Sequence, residues 1–192
     1  MLPGLTDPVL DSQRIFRATL DAMAHPGRIV NVPGPVETPA PLDPAAVAVL
    51  LTLADLDTAL WLDAAAATTK VTDYLKFHCG CPVVASPSMA RFAVVADAVA
   101  LPDFVEFANG SDEEPHLSTT VIIQVPGLND RTGRRLSGPG IRDHAMLGID
   151  GAPARFWAEL AANHRRFPCG VDVILTAGTV LAALPRTVRA ED

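Results

Sequence analysis

The sequence predicts an α/β fold: a mixed β-sheet flanked by helices, in a single domain spanning residues 1–192. Three observations carry this expectation. Apolar runs of strand length alternate with segments whose apolar residues recur at helical spacing. The runs Val171–Thr176 and Thr179–Leu184, separated by Ala177-Gly178, read as a closing hairpin, so at least one strand pair is antiparallel and the sheet is mixed. The chain has 192 residues, 49% of them hydrophobic, which suffices for one sizeable core.

The elements follow in order. Asp11 or Ser12 is expected to cap a first helix running to about Met23, with Ile15, Phe16, Leu20 and Met23 sharing one face. His25-Pro26-Gly27 stops it, because a proline disfavours helix in the residue before it. Ile29–Val32 is a short strand. Pro33–Pro44 holds five prolines in twelve residues and reads as an extended surface connector. It is no domain boundary, since the roughly 32 residues before it could not bury a core alone. Asp43-Pro44 begins a helix with proline at its first position, and Ala45–Leu53 is apolar nearly all round, so this helix is buried. Asp55 and Asp57 end it. Thr58–Leu62 is a strand. Thr68 or Thr69 starts the next helix, with Val71, Leu75 and His78 on one face and Gly80 at its end. Cys81–Val84 and Arg91–Ala96 are strands, Pro102–Ala108 a short helix, and Asn109-Gly110 a turn before the acidic loop Asp112-Glu113-Glu114. Thr119–Val125 is the strongest strand signal, and Ala152–Arg166 is helix-like.

Composition narrows the function. The net charge is −7 and the pI about 5.1, which disfavours a nucleic-acid-binding surface and leaves room only for a local anion site. No apolar run approaches the roughly 20 residues that span a bilayer. The start, Met1 to Asp7, lacks a basic region followed by an apolar core, so a cytoplasmic location is expected. The three cysteines, Cys79, Cys81 and Cys169, argue against a disulfide framework. Cys79-Gly80-Cys81 beside His78 lacks the spacing and the second pair of a zinc site, so no metal is expected and the thiols read as reduced. The only lysines are Lys70 and Lys76, which leaves little for Schiff-base chemistry. There is no Walker-type loop, no Gly-x-Gly-x-x-Gly fingerprint and no nucleophile elbow.

The stretch with the most chemical character is Arg134-Arg135-Leu136-Ser137-Gly138-Pro139-Gly140-Ile141-Arg142. Gly138 and Gly140 permit positive φ or close backbone approach, and Pro139 stiffens the turn between them. Amides in such a loop can bind an anion, with Arg135 and Arg142 adding charge. Arg135, Gly138, Gly140 and Arg142 are therefore the candidate phosphate-binding residues. The simpler alternative is a tight turn chosen for geometry, or a shaped contact surface. Arg142-Asp143-His144 could hold a base and its orienting carboxylate, though a surface loop accounts for it as well. Asp55 and Asp57 fit a turn better than a catalytic carboxylate pair.

A set of motifs adds to this reading. They are Phe16-Arg17 with Met23 and Pro26-Gly27; Leu51-Thr52-Leu53-Ala54-Asp55-Leu56-Asp57-Thr58; Phe77-His78 and Pro82; Leu136-Ser137-Gly138-Pro139-Gly140-Ile141; and Phe167-Pro168-Cys169-Gly170-Val171-Asp172 running to Leu184-Pro185-Arg186-Thr187. In their order and spacing the chain resembles the H subunit of the bacterial carbon–phosphorus lyase system, over most of its length. The resemblance implies a subunit that acts with the G, I and J subunits in degrading organic phosphonates. Together they form ribose 1-phosphonate 5-triphosphate from ATP and an alkylphosphonate, and the carbon–phosphorus bond is cut by radical chemistry at an iron–sulfur cluster on the J subunit. It implies a fold like that of pyridoxal-phosphate-dependent transferases without the cofactor, a homodimer when isolated, and no cofactor of its own. It carries over no catalytic residue. The alternative is an independently active transferase or hydrolase acting on a phosphorylated small molecule, through Cys169 or the Arg142-Asp143-His144 group. Whichever holds, Trp61, Phe104, Phe107, Trp157 and Phe167 are the large groups available as core or as interface anchors.

Overall fold

The computed structural model describes residues 2–191. Helix α1 spans Pro8–Ala24 and starts earlier than expected. Its cap is Asp7, whose Oδ1 accepts from the amides of Val9 and Leu10 at 3.2 and 3.0 Å. Pro8 at the first helical position makes this start favourable. Asp11 lies inside the first turn and returns its carboxylate to the Asp7 amide at 2.9 Å. The buried stripe of α1 is Ile15, Thr19 and Ala22. Phe16 and Leu20, expected on the core face, stand in solvent.

Strand β1 is Val30–Asn31. Helix α2, Pro44–Leu53, is capped by Asp43 and buried from Ala45 to Leu50. Asp55 then makes a turn, its Oδ1 accepting from the Asp57 amide and the Thr58 hydroxyl. Strand β2 is Leu60–Leu62, and α3 is Thr69–His78, capped by Thr68. The expected strand at Cys81–Val84 shrinks to one parallel bridge, Leu60 to Val83, because Pro82 has no amide to extend the ladder. Strand β3 is Phe92–Val95. The expected helix at Pro102–Ala108 is a single 3₁₀ turn, Phe104–Glu106. Strand β4 is Thr120–Gln124.

Next come β5, Gly127–Ser137, and β6, Ala145–Asp150. They pair antiparallel with a register break between Asn129 and Arg134. Of the segment expected as an arginine-flanked turn, residues 134–137 are therefore the end of a strand, and the turn itself lies at residues 138–140. Helix α4 is Phe156–His164, shorter at both ends than Ala152–Arg166. The chain closes with β7 (Asp172–Ala177), β8 (Val180–Leu184) and β9 (Arg189–Glu191).

The main sheet has the order β1-β8-β7-β4-β3-β2. Strands β2, β3, β4 and β7 are mutually parallel; β8 is antiparallel to β7, and β1 to β8. Alternate residues feed two cores. Val94, Ile122, Ile174 and Ala183 pack against α1, α2 and α3. Ala93, Val121, Val173 and Leu184 pack against Phe104, Phe107, α4, and Leu136 and Leu147 of a second sheet, ordered β6-β5-β9. Among the described residues no helix is long and apolar enough to cross a membrane.

Asn163 ties α4 to the sheet. It is fully buried, its Nδ2 donates to the Val171 carbonyl and its Oδ1 accepts from the Val171 amide, both at 2.8 Å. The side-chain amide thus satisfies a backbone donor and acceptor just before β7, outside the strand ladder. Asn163→Ala leaves both groups buried and unpaired, and is expected to cost about 2–4 kcal/mol in urea denaturation. An Asn163→Ala midpoint equal to wild type contradicts this.

Candidate functional site

The residues between α1 and β1 meet the end of β5 at one place. Pro26 and Gly27 are buried. The Gly27 amide donates to the Ala183 carbonyl on β8 at 3.3 Å. Gly27 has φ +84°, and a Cβ there would meet Leu136 Cδ1 at 2.9 Å. Gly140 has φ +82°, and a Cβ there would strike the carbonyl oxygen of Ala24. Gly140 is needed because its backbone abuts the backbone of α1, and Gly27 because of its positive φ and the side chains of Leu136 and Ala145 packed over it. Between the two walls lies a cleft of about 490 Å³ lined by His25, Arg28, Asp130, Gly140, Arg142 and His144, among others.

Asp21 organises one side of this cleft. Its carboxylate takes Nη1 of Arg28 at 3.2 and 3.1 Å. Its carbonyl takes Nδ1 of His25 at 3.0 Å. A carbonyl oxygen only accepts, so Nδ1 of His25 carries hydrogen and Nε2 is left for another partner. On the opposite side Arg142, Asp143 and His144 are exposed. Asp143 makes no hydrogen bond to His144, so the base-and-orienter arrangement is not assembled.

The four candidate phosphate residues fall in three places. Gly140 and Arg142 line the cleft just described. Gly138 lines a neighbouring one with His164, Phe167 and Arg189. Arg135 lines a third, where its Nε pairs with Glu191 on β9 at 3.3 Å. In exchange the structure brings in His25, Arg28, Asp130 and His144. The sequence marks His144 only as a possible base beside Asp143; no local signal joins it to His25, Arg28 and Asp130, because they lie in three separate stretches of the chain.

Other candidate groups are occupied. In the cleft beyond the C-terminal ends of β3 and β4, where open α/β sheets place ligands, Asp43, Asp97, Gln124 and Gly178 are among the lining residues. Asp43 Oδ1 accepts from the Ala46 amide at 2.7 Å, Gln124 bridges the Asp43 amide and the Pro41 carbonyl, and Asp97 accepts from the Val99 amide. These polar groups are engaged in capping. Cys79, Cys81 and Cys169 are free thiols. The hydrogen bond to Cys81, then burial, pushes the Cys79 thiol up, whereas the same bond holds Cys81 down. Desolvation and the hydrogen bond to Asp112 push Cys169 up, which disfavours the thiolate a nucleophile needs. Among the described residues no group of three or more histidine, cysteine or acidic side chains could hold a metal.

The sequence model of the family described as bacterial phosphonate metabolism protein (PhnH) matches residues 3–191. The chain belongs to the PhnH family. It is 37% identical over 188 residues, 98% of this chain and 94% of the relative, to a Rhizobium meliloti (strain 1021) protein named alpha-D-ribose 1-methylphosphonate 5-triphosphate synthase subunit PhnH. It is 32% identical over 185 residues, 91% of this chain and 83% of the relative, to a Stutzerimonas stutzeri protein named putative C-P lyase subunit protein HtxG.

In this PhnH-family chain, motifs far apart in sequence are packed together. Pro26-Gly27 meets Leu136 and Gly140 at the cleft. The two closing motifs meet through Arg186 and Asp172, whose side chains are only 12% and 19% exposed. Arg186 Nε and Nη2 donate to the Asp172 carboxylate at 3.1 and 2.6 Å. Nη1 donates to the carbonyls of Pro115 and Pro168, and Nη2 to the Ser118 hydroxyl.

The contact between Gly140 and α1 gives a direct expectation. Gly140→Ala adds a methyl against the Ala24 carbonyl at a positive φ and should destabilise by about 2–4 kcal/mol in thermal or urea unfolding. Pro139→Ala, on the same turn, should cost less than about 1 kcal/mol. Equal costs for the two would contradict this reading of Gly140.

Proposed function

We propose that this chain is a subunit of the complex that makes ribose 1-phosphonate 5-triphosphate from ATP and an alkylphosphonate in organic phosphonate breakdown, and that it works by association. The observation that carries this is the relative named as a synthase subunit, aligned over 98% of this chain. The second relative is likewise named as a subunit. The proposed partners are the G, I and J subunits, with a homodimer when the chain is isolated and the cytoplasm as the location. The likeness to a pyridoxal-phosphate-dependent transferase fold without cofactor belongs to the same proposal. Lys70 and Lys76 are both exposed on α3 and line none of the clefts described above.

Surface chemistry supports a role by association. Of the five large groups singled out from the sequence, Phe104 and Phe107 are buried, Trp61 and Trp157 are half-buried, and Phe167 is 60% exposed. Phe167 borders an apolar depression with Met23, Pro115, Pro168 and Pro185. Phe16 and Leu20 of α1 are also exposed. Exposed aromatic anchors of this kind contribute most when a partner desolvates them. The Cys169 thiol, held protonated, weighs against independent nucleophilic catalysis.

Co-expression with the G, I and J subunits tests the proposal. Wild-type chain should co-purify with them and be required for their conversion of ATP and methylphosphonate. Phe167→Asp should reduce recovery of the complex severalfold while leaving the unfolding midpoint of the isolated chain within about 0.5 kcal/mol of wild type. Full conversion by the other three subunits without this chain, or activity of this chain alone, would contradict the proposal.

A further inference from the structure

We infer that the cleft between the end of α1 and the Gly140–Met146 segment binds the tetrahedral dianionic end of a phosphoryl or phosphonyl compound, with Arg142 and His144 as its primary donors. The inference rests on this chain's own residues and stands or falls apart from the proposed complex.

The charge pattern comes first. In a chain of net charge −7, the lining of this cleft carries two arginines and two histidines against one carboxylate, Asp130; behind the wall Asp21 pairs with Arg28 and His25, so Arg142 is the cation left without a partner at the rim. An uncompensated cation in an acidic protein offers an anion a local attraction.

The hydrogen-bond pattern separates this cleft from the basic groups of the neighbouring clefts and the clamp. Arg135 is held by Glu191, Arg155 by Asp103, Arg186 by Asp172, and Arg189 donates to His164. Arg142 and His144 make no hydrogen bond or ion pair with any described residue, and both face the cleft rim. Across from them Asp21 orients Arg28 and fixes Nδ1 of His25. One wall thus carries oriented donors and the other carries unengaged ones. A ligand between them gains charge-assisted hydrogen bonds that the protein does not make for itself.

Geometry selects the ligand class. A carboxylate is planar and is satisfied by one guanidinium fork. Donors on two opposing walls suit a group whose oxygens point in several directions, as in a phosphate or phosphonate. Gly140 lets the walls close to backbone contact with Ala24, so the base of the cleft is narrow. Its volume of about 490 Å³ is in the range that holds a small metabolite. Asp130 on the rim supplies an acceptor for a hydroxyl carried beside the dianion, such as the remaining P–OH of hydrogen phosphate or a sugar hydroxyl.

The test is a titration of the isolated, isotopically labelled chain at constant ionic strength, following the amides of Gly140, Arg142 and Ala145. The probes are methylphosphonate, inorganic phosphate and ATP. Saturable shifts at those amides with the two small anions identify a lone tetrahedral dianion as the recognised unit. Saturation by ATP alone assigns the same chemistry to a polyphosphate chain. In either case Arg142→Ala should weaken binding about tenfold, Arg142→Glu should abolish saturation, and Arg189→Ala in the neighbouring cleft should titrate like wild type. Absence of saturable shifts with all three probes at millimolar concentration, or an Arg142→Ala titration identical to wild type, overturns the inference. Because Arg142 is exposed and unpaired, its variants fold, and an unchanged amide spectrum away from the cleft verifies this. Loss of co-purification with other subunits while these titrations persist would sink only the complex role.

Discussion

The Arg186–Asp172 pair holds together the end of the main sheet on which much of the surface depends. Asp172 opens β7, Arg186 follows β8, Ser118 precedes β4 and Pro168 follows α4. The Arg186 guanidinium reaches the other three segments and the Pro115 carbonyl. Removing two charges from water costs several kcal/mol per ion, and mutual attraction offsets that only when the remaining donors are also satisfied. Here Nε, Nη1 and Nη2 all have acceptors. The Asp172 carboxylate also takes the Arg186 backbone amide at 2.9 Å, so it fixes the turn out of β8 as well as the side chain. The planar fork of arginine makes this possible, and a lysine with its single point charge could not serve the same acceptors.

One of the clefts is built directly on this clamp. Arg186 and Asp172 lie beneath the apolar depression edged by Phe167. His164, whose Nδ1 contacts the Arg186 carbonyl at 3.2 Å, borders the neighbouring cleft with Gly138. The anion cleft lies farther along the same edge, where Gly27 bonds to Ala183 of β8. Interaction chemistry and binding chemistry therefore share one scaffold, β8 and the segments laid against it. The end of the sheet where α/β proteins usually bind ligands is instead occupied by caps, with Asp43 held above its ordinary value by burial despite the amides it accepts. A group raised in this way favours the folded state at low pH and loses that contribution as pH rises through its folded value.

Much of the main sheet was legible in the sequence. The two apolar runs around Ala177-Gly178 form the expected hairpin, with Gly178 at φ +61°. Asp43-Pro44 starts a buried helix because an aspartate cap and a proline at the first position leave few alternatives. The second sheet was not legible. Strand β5 contains Asp130, Arg131, Arg134 and Arg135 and a register break, so period-two alternation is absent; only Leu128 and Leu136 turn towards the core. Gly138 and Gly140 were recognisable as special glycines, but their reason lies elsewhere: Gly140 abuts the end of α1. His25 read as part of the helix stop, and Arg28 carried no signal, until the fold placed both in the cleft with Arg142. Local pattern reveals a glycine's conformational demand, but it carries no information about which distant backbone imposes it.

A double-mutant cycle across the clamp tests the account most directly. Arg186→Met and Asp172→Leu each strand one buried charge and should each destabilise the chain by about 3–5 kcal/mol in urea unfolding. Together they remove both charges, so the account predicts a double variant at least about 2 kcal/mol more stable than the sum of the single losses implies. Strict additivity of the two losses would contradict the claim that this pair acts as one unit holding the sheet end together.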